Sequence, residues 1–289
     1  MTWINVVLQG VLLGGLYALF ATGLSLAFGV MRFVNLAHGD LAVLAAFVAF
    51  SLVRSRHVNA LLALAVVLPI AFVVGYVLQR VVFDRVIGAD PAYQIVATFG
   101  LAVVIENGLL RHYTADTRGL NVGRLGTASI RINRQISIGW LPLVTFLCGV
   151  GVLGALALFL RHTRTGRAFR ATSDDPRAAQ LMGIDNRRIY AVALAISLVT
   201  VALAGVLDGA RTSFDPFHGP ALLIFAFEAV IIGGLGSLWG TLAGGITLGV
   251  AQAIGTQVSP QWGPIFGHLV FIAVLASRPT GMFGKAGMR

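Results

Sequence analysis

Two carboxylates, Glu106 and Glu228, lie inside runs of apolar residues, and neither run contains a lysine or arginine to pair with them. A charged side chain at the centre of a bilayer costs about 2.5–3.5 kcal/mol on insertion scales, so each must be wet, paired or protonated there. Handling a solute or an ion is the chemistry such a residue suits. The alternative is a cap or hydrogen bond to a neighbouring helix. Asn35 and His38, with Gly39 after them, precede a short apolar run. At a helix break they can present side chains and free backbone groups to a cavity, or they can cap and pack. Thr98 shares a run with Glu106 and can equally bond the carbonyls of its own helix. His268, alone on the last apolar stretch, reads as a satisfied core histidine. Asn35, His38, Thr98, Glu106 and Glu228 are the candidate residues of a pathway through the membrane.

Little else suggests covalent chemistry. The His-Glu-x-x-His spacing of zinc proteases is absent, and Gly236-Ser237 has no histidine base nearby in sequence. The one cysteine, Cys148, excludes a disulfide framework within the chain. A phosphate-binding loop needs lysine followed by Ser or Thr, and the only lysine, Lys285, is followed by Ala286. No catalytic residue, metal or cofactor is expected, and the chain cannot supply a nucleotide site of its own.

The elements that must position these residues are membrane helices. The chain has 289 residues, 57% of them hydrophobic and 11% charged, where a soluble domain has about 25% charged. The fold class is all-α: a polytopic bundle of eight or nine crossing or half-crossing helices, one domain over 1–289. The net charge of +10 sits in the connectors without interleaved aromatic residues, so lipid headgroups and topology explain it better than nucleic acid. The first basic residue, Arg32, follows the first apolar run, which argues against a cleavable leader and for an outside N-terminus.

In order, the spans are Val6–Val30, a short run Leu41–Val53, Val58–Leu78 with Pro69, Tyr93–Leu110, Trp140–Leu160, Ile189–Leu207, Ala221–Leu235, a run to Ile254 and a last helix to Ala276. Gly10 and Gly14 form a close-packing pair. The run Leu41–Val53 is only about 20 Å long as a helix, short of a bilayer core of about 30 Å. It is a half-helix or begins further back, through Asn35 and His38, which is the pattern of a discontinuous membrane helix. Connector 111–139 carries five arginines and an Ile130–Ile138 alternation that predicts a hairpin. Gly236, Gly240 and Gly244, four apart, predict helix packing.

Between two spans lies 161–188, with seven arginines and three aspartates in 28 residues. Such a loop belongs on the cytoplasmic side. That puts the C-terminal tail inside too, and puts 111–139 outside against the same charge rule, outweighed by the loop and tail together. Asp175 before Pro176 starts a helix of about two turns that Gly183 ends. Ala178, Leu181 and Met182 fall at helical spacing and could face a partner; a plain solvated connector is the alternative.

Five blocks, taken together, resemble the permease subunit of branched-chain amino acid ABC importers, of the LivH type. They are Gly15-Leu16-Tyr17-Ala18-Leu19 with Gly23-Leu24; Asn35-Leu36-Ala37-His38-Gly39; Gly166-Arg167-Ala168 through Asp175-Pro176 to Leu181-Met182-Gly183-Ile184; Gly233-Gly234-Leu235-Gly236-Ser237 with Gly240; and Arg278-Pro279-Thr280-Gly281. The resemblance implies an inner-membrane subunit whose loop 161–188 docks on a cytoplasmic ATPase, through Gly166, Arg167, Asp175, Pro176, Ala179, Leu181, Met182 and Gly183. It implies a partner permease of the LivM type, two ATPase subunits and a periplasmic binding protein. Glu106 departs from the neutral amide often found there in relatives, so a substrate such as urea, a short amide or an aromatic acid stays open. So does an ion-driven secondary transporter using Glu106 or Glu228.

Overall fold

A computed structural model describes residues 3–56, 59–88, 90–133 and 136–283. Val58, Arg134, Gln135, Gly284 and Lys285, at the edges of expected elements, lie outside the described residues. The helices are α1 Trp3–Met31, α2 His38–Arg56, α3 Ala60–Val81, α4 Pro91–Tyr113, the short α5 Arg124–Thr127, α6 Trp140–His162, α7 Arg164–Asp174, α8 Pro176–Leu181, α9 Asn186–Arg211, α10 Gly219–Gly233, α11 Leu238–Val258 and α12 Gly263–Ser277. Among the described residues, eight helical stretches are long and apolar enough to cross a membrane, and α10 is a shorter ninth, in line with the expected bundle. The alternating segment forms an antiparallel hairpin, β1 Ser129–Asn133 with β2 Ile136–Gly139, in which Ile130 faces Ile138.

Helix α1 is the axis of the bundle. Most of its residues are buried, and α11, α9, α6 and α10 pack around it. Small residues let the backbones approach. A Cβ on Gly249 would lie 2.4 Å from the Gly10 carbonyl oxygen, and one on Gly245 would lie 2.6 Å from that of Gly14. The opposite glycine face of α11 meets α10, where a Cβ on Gly244 would lie 2.1 Å from the Ala229 carbonyl oxygen. Gly240 likewise lies against Gly233. Only Gly236 departs from the expected packing series. It lies in the turn before α11 with φ +79°, a conformation that a side chain disfavours, and its role is to shape that turn. Helices α3, α4 and α6 form the periphery, and Leu62, Val73, Val96, Val104, Leu147 and Leu158 on them are exposed as a wall suited to hydrocarbon.

The connections sort into two ends. At one, the Ser173 hydroxyl of α7 donates to the Gly29 carbonyl of α1, and the tail residues Met282 and Phe283 donate backbone N–H groups to Ile232 and Gly233. At the other, Gln9 donates to the Ser137 carbonyl at 2.9 Å, and Arg118 pairs its backbone with Phe214. Loop 161–188 and the tail thus share the loop end. The start of α1, residues 54–56 and the hairpin share the hairpin end.

Candidate functional site

Helix α1 stops at Met31, and Arg32 takes the left-handed φ of 50°. Residues 32–37 then run back into the bundle without regular structure. Asn35 Oδ1 accepts from the Ala37 N–H at 3.0 Å, and His38 Nε2 lies 3.0 Å from the Phe20 carbonyl oxygen. Phe20 is about 16 Å along α1 from Met31 at 1.5 Å per residue, so α2 begins near mid-membrane. From there it runs to the hairpin end. The expected discontinuous helix is present and starts at His38.

A second discontinuity meets it. The chain leaves α9 at Arg211, turns back through 212–218, and starts α10 against the first turn of α2. A Cβ on Gly39 would lie 1.9 Å from the Gly219 carbonyl oxygen, and one on Gly219 would lie 2.0 Å from Asp40 Oδ1. Two helix N-termini therefore abut in the bundle, each with a partial positive charge of about half an electron. Asp40, buried in the first turn of α2, supplies the opposite charge, and its Oδ1 has no hydrogen-bond partner. Its sequence neighbours hid this role: it follows a glycine at the edge of a short apolar run.

Two carboxylate–imidazole pairs involve α10 or the turn before it. Asp208 Oδ2 of α9 is 3.4 Å from His218 Nε2, just before α10. Glu228 Oε1 of α10 is 2.5 Å from His268 Nδ1 of α12. The Tyr17 hydroxyl of α1 donates to Gln252 Oε1 of α11 at 2.5 Å. The Phe225 ring lies between these last two groups, 5.2 Å from the Tyr17 ring and 6.1 Å from that of His268. Sequence reasoning set His268 aside as a satisfied core residue. Instead it is the partner that Glu228 needed, and its side chain is 41% exposed.

The other candidates separate. Asn35 and His38 are each 1% exposed; Asn35 Oδ1 and His38 Nε2 shape the break, and Asn35 Nδ2 has no hydrogen-bond partner. Thr98 is fully buried and donates to the Gln94 and Ile95 carbonyls of its own helix. Glu106 stands on peripheral α4, which packs on α2, while Glu228 sits between α10 and α12. The two acids do not share a site.

Loop 161–188 carries more structure than its sequence suggested. Helix α7 precedes α8, capped by the Thr163 hydroxyl, which accepts from the Gly166 N–H at 2.9 Å. A Cβ on Gly166 would lie 2.4 Å from the Phe159 carbonyl oxygen, and Phe169 is buried, so α7 is seated on the end of α6. Asn186 donates to the Pro176 carbonyl at 2.7 Å and ties α8 to α9. The expected cap is there: Asp175 Oδ1 accepts from Arg177 and Ala178 N–H at 2.8 and 3.0 Å, and Gly183 ends the turn with φ +82°. Ala179 is buried and accepts from the Ile184 N–H, so with Gly166 it seats the loop. Leu181 and Met182 are 89% and 83% exposed, and Arg167 is exposed on α7. An apolar knob thus stands exposed on an arginine-rich, anchored platform.

Comparison with known proteins fits this geometry. Residues 6–275 match the profile of the family described as branched-chain amino acid transport system / permease component. The chain is 27% identical to the high-affinity branched-chain amino acid transport permease BraD of Pseudomonas aeruginosa, over 98% of this chain and 96% of that protein. It is 29% identical to LivH of Escherichia coli, a permease described in the same words, over 96% and 94% of the two chains. The ribose import permease RbsC of Escherichia coli is 28% identical over 80% of this chain and 72% of its own.

Proposed function

This chain belongs to the branched-chain amino acid transport permease family, and from that premise we propose that it is one membrane subunit of an ATP-driven importer for branched-chain or related small amino acids. It forms part of the translocation pathway and makes no catalytic contribution of its own. Its loop end faces the cytoplasm across the inner membrane. The partners are a second permease of the LivM type, two ATPase subunits and a periplasmic binding protein. BraD and LivH match this chain nearly end to end, while RbsC covers less of it, which favours amino acids over sugars.

The observation that carries the reading is the Leu181–Met182 knob on α8. An exposed apolar pair has little reason to persist on a solvated loop unless something covers it. Seating α7 on α6 and α1 makes the loop a lever and not a tether: force on α8 passes directly into the bundle. An ion-driven carrier would have no need of it.

Co-purification tests this. Leu181→Asp with Met182→Asp should leave the permease expressed and folded but lose the ATPase from the complex. Retention of the ATPase at the wild-type ratio would refute the docking role.

A further inference from the structure

The strongest unassigned feature is the junction of α1, α10, α11 and α12. Four polar side chains from four helices meet there around one aromatic ring. Glu228 is buried, with Oε1 on His268 Nδ1 and Oε2 unpartnered. Gln252 is also buried, with Oε1 on the Tyr17 hydroxyl and Nε2 unpartnered. His268, by contrast, is 41% exposed, so the imidazole is what an arriving molecule meets.

The hydrogen bond fixes which end of the ring is offered. In the tautomer protonated at Nδ1, that nitrogen donates to Glu228 Oε1. Nε2 is then a lone-pair acceptor, held in orientation by the carboxylate behind it. Such a nitrogen selects an N–H donor. Glu228 places a carboxyl group behind the ring, and the Phe225 ring, stacked 6.1 Å from the imidazole, adds a π surface that favours a cation. Asp208 and Arg211, at the end of α9, are the other charged groups within electrostatic reach of Tyr17. His268, an ionisable side chain left half-exposed on α12, is also costly against hydrocarbon, which favours a wet path over lipid at this face.

We propose that His268, positioned by Glu228 and walled by Phe225, is a station in the pathway that takes the ammonium group of a zwitterionic solute. This rests on the reading of the chain as an importer subunit and adds to it the group recognised and the residue that touches it. Glu228 is a positioning residue. Gln252 and Tyr17 hold the far wall.

The test uses the complete importer in proteoliposomes, with leucine as the probe, and reads uptake and ATP hydrolysis separately. His268→Phe should cut uptake about tenfold or more, the loss of one charge-assisted hydrogen bond, while hydrolysis and complex assembly persist. His268→Gln keeps an acceptor oxygen and should recover part of the uptake. Glu228→Gln keeps an oxygen for Nδ1 but removes the charge, and should fall between wild type and His268→Phe. Wild-type uptake by His268→Phe would overturn the proposal. A second reading does not depend on leucine being the cargo. Nitrogen-15 NMR of labelled histidine, assigned with His268→Gln, should show Nε2 unprotonated and shifted by methylammonium but not by acetate. A protonated Nε2, or a response to acetate alone, would equally overturn it. If wild-type vesicles hydrolyse ATP without leucine uptake while the NMR response is present, the amino acid reading fails and the station stands.

Discussion

Gly39 and Gly219 are where one carbon atom matters most. A Cβ at Gly39 would fall 1.9 Å from a carbonyl oxygen of the opposing helix, and backbone cannot yield as a flexible side chain can. Gly39→Ala should therefore destabilise the protein by about 1–3 kcal/mol, the usual range for overpacking a tight contact. Gly151, on the outer face of α6, has nothing within 4 Å of its Cβ position, so Gly151→Ala should be neutral or slightly stabilising. Thermal unfolding of both variants in detergent checks the pair: equal melting temperatures would mean that the α2–α10 junction is looser than described. Residues of this kind were partly legible in sequence. The spacing of Gly10 with Gly14 and of Gly240 with Gly244 announced close helices, because helix periodicity is local information. The Glu228–His268 pair was not legible, because its members are 40 positions apart and only folding joins them. Glu228 was visible as an unpaired acid, and His268 as a lone histidine; nothing in the sequence linked the two.

Among the elements, α8 was readable and α7 was not. Asp175, Pro176 and Gly183 are start and stop signals that act within one turn, so they declare themselves. The signal for α7 was weaker: Thr163 as a cap, with Phe169 and Thr172 buried on one face of an otherwise arginine-rich stretch. Asp175→Ala should remove both acceptor bonds at the start of α8 at a cost of about 0.5–2 kcal/mol to that helix alone. Hydrogen exchange should then speed up at the Arg177 and Ala178 amides and stay unchanged in α1. Unaltered exchange at those two amides would mean that α8 is held by its neighbours and not by its cap. The second discontinuity escaped notice for another reason. Residues 208–220, with two prolines, look like an ordinary connector, and depth in the membrane is a property of the fold that no local pattern encodes. The first was visible because Leu41–Val53 is too short to cross, and a length deficit can be counted.

At the scale of the whole molecule, the arrangement separates three tasks. Helices α3, α4 and α6 present apolar walls, α1 with α9 and α11 forms a rigid glycine-packed axis, and α2 with α10 places two helix starts back to back inside the bundle. Helix α7 is tied to the axis itself through Gly29, which gives the proposed lever a short route from the loop end to the half-helices. Composition made the bundle and its count of spans legible, and the arginine-rich loop fixed the expected orientation. The division of labour emerged only from packing. The account turns on an external motor acting through α8. Uptake into proteoliposomes that contain this chain and its partner permease, with and without the ATPase and ATP, tests it most directly. Concentrative uptake should require both ATPase and ATP, and should vanish with Leu181→Asp and Met182→Asp. Accumulation against a gradient by the permease alone, without nucleotide, would contradict it.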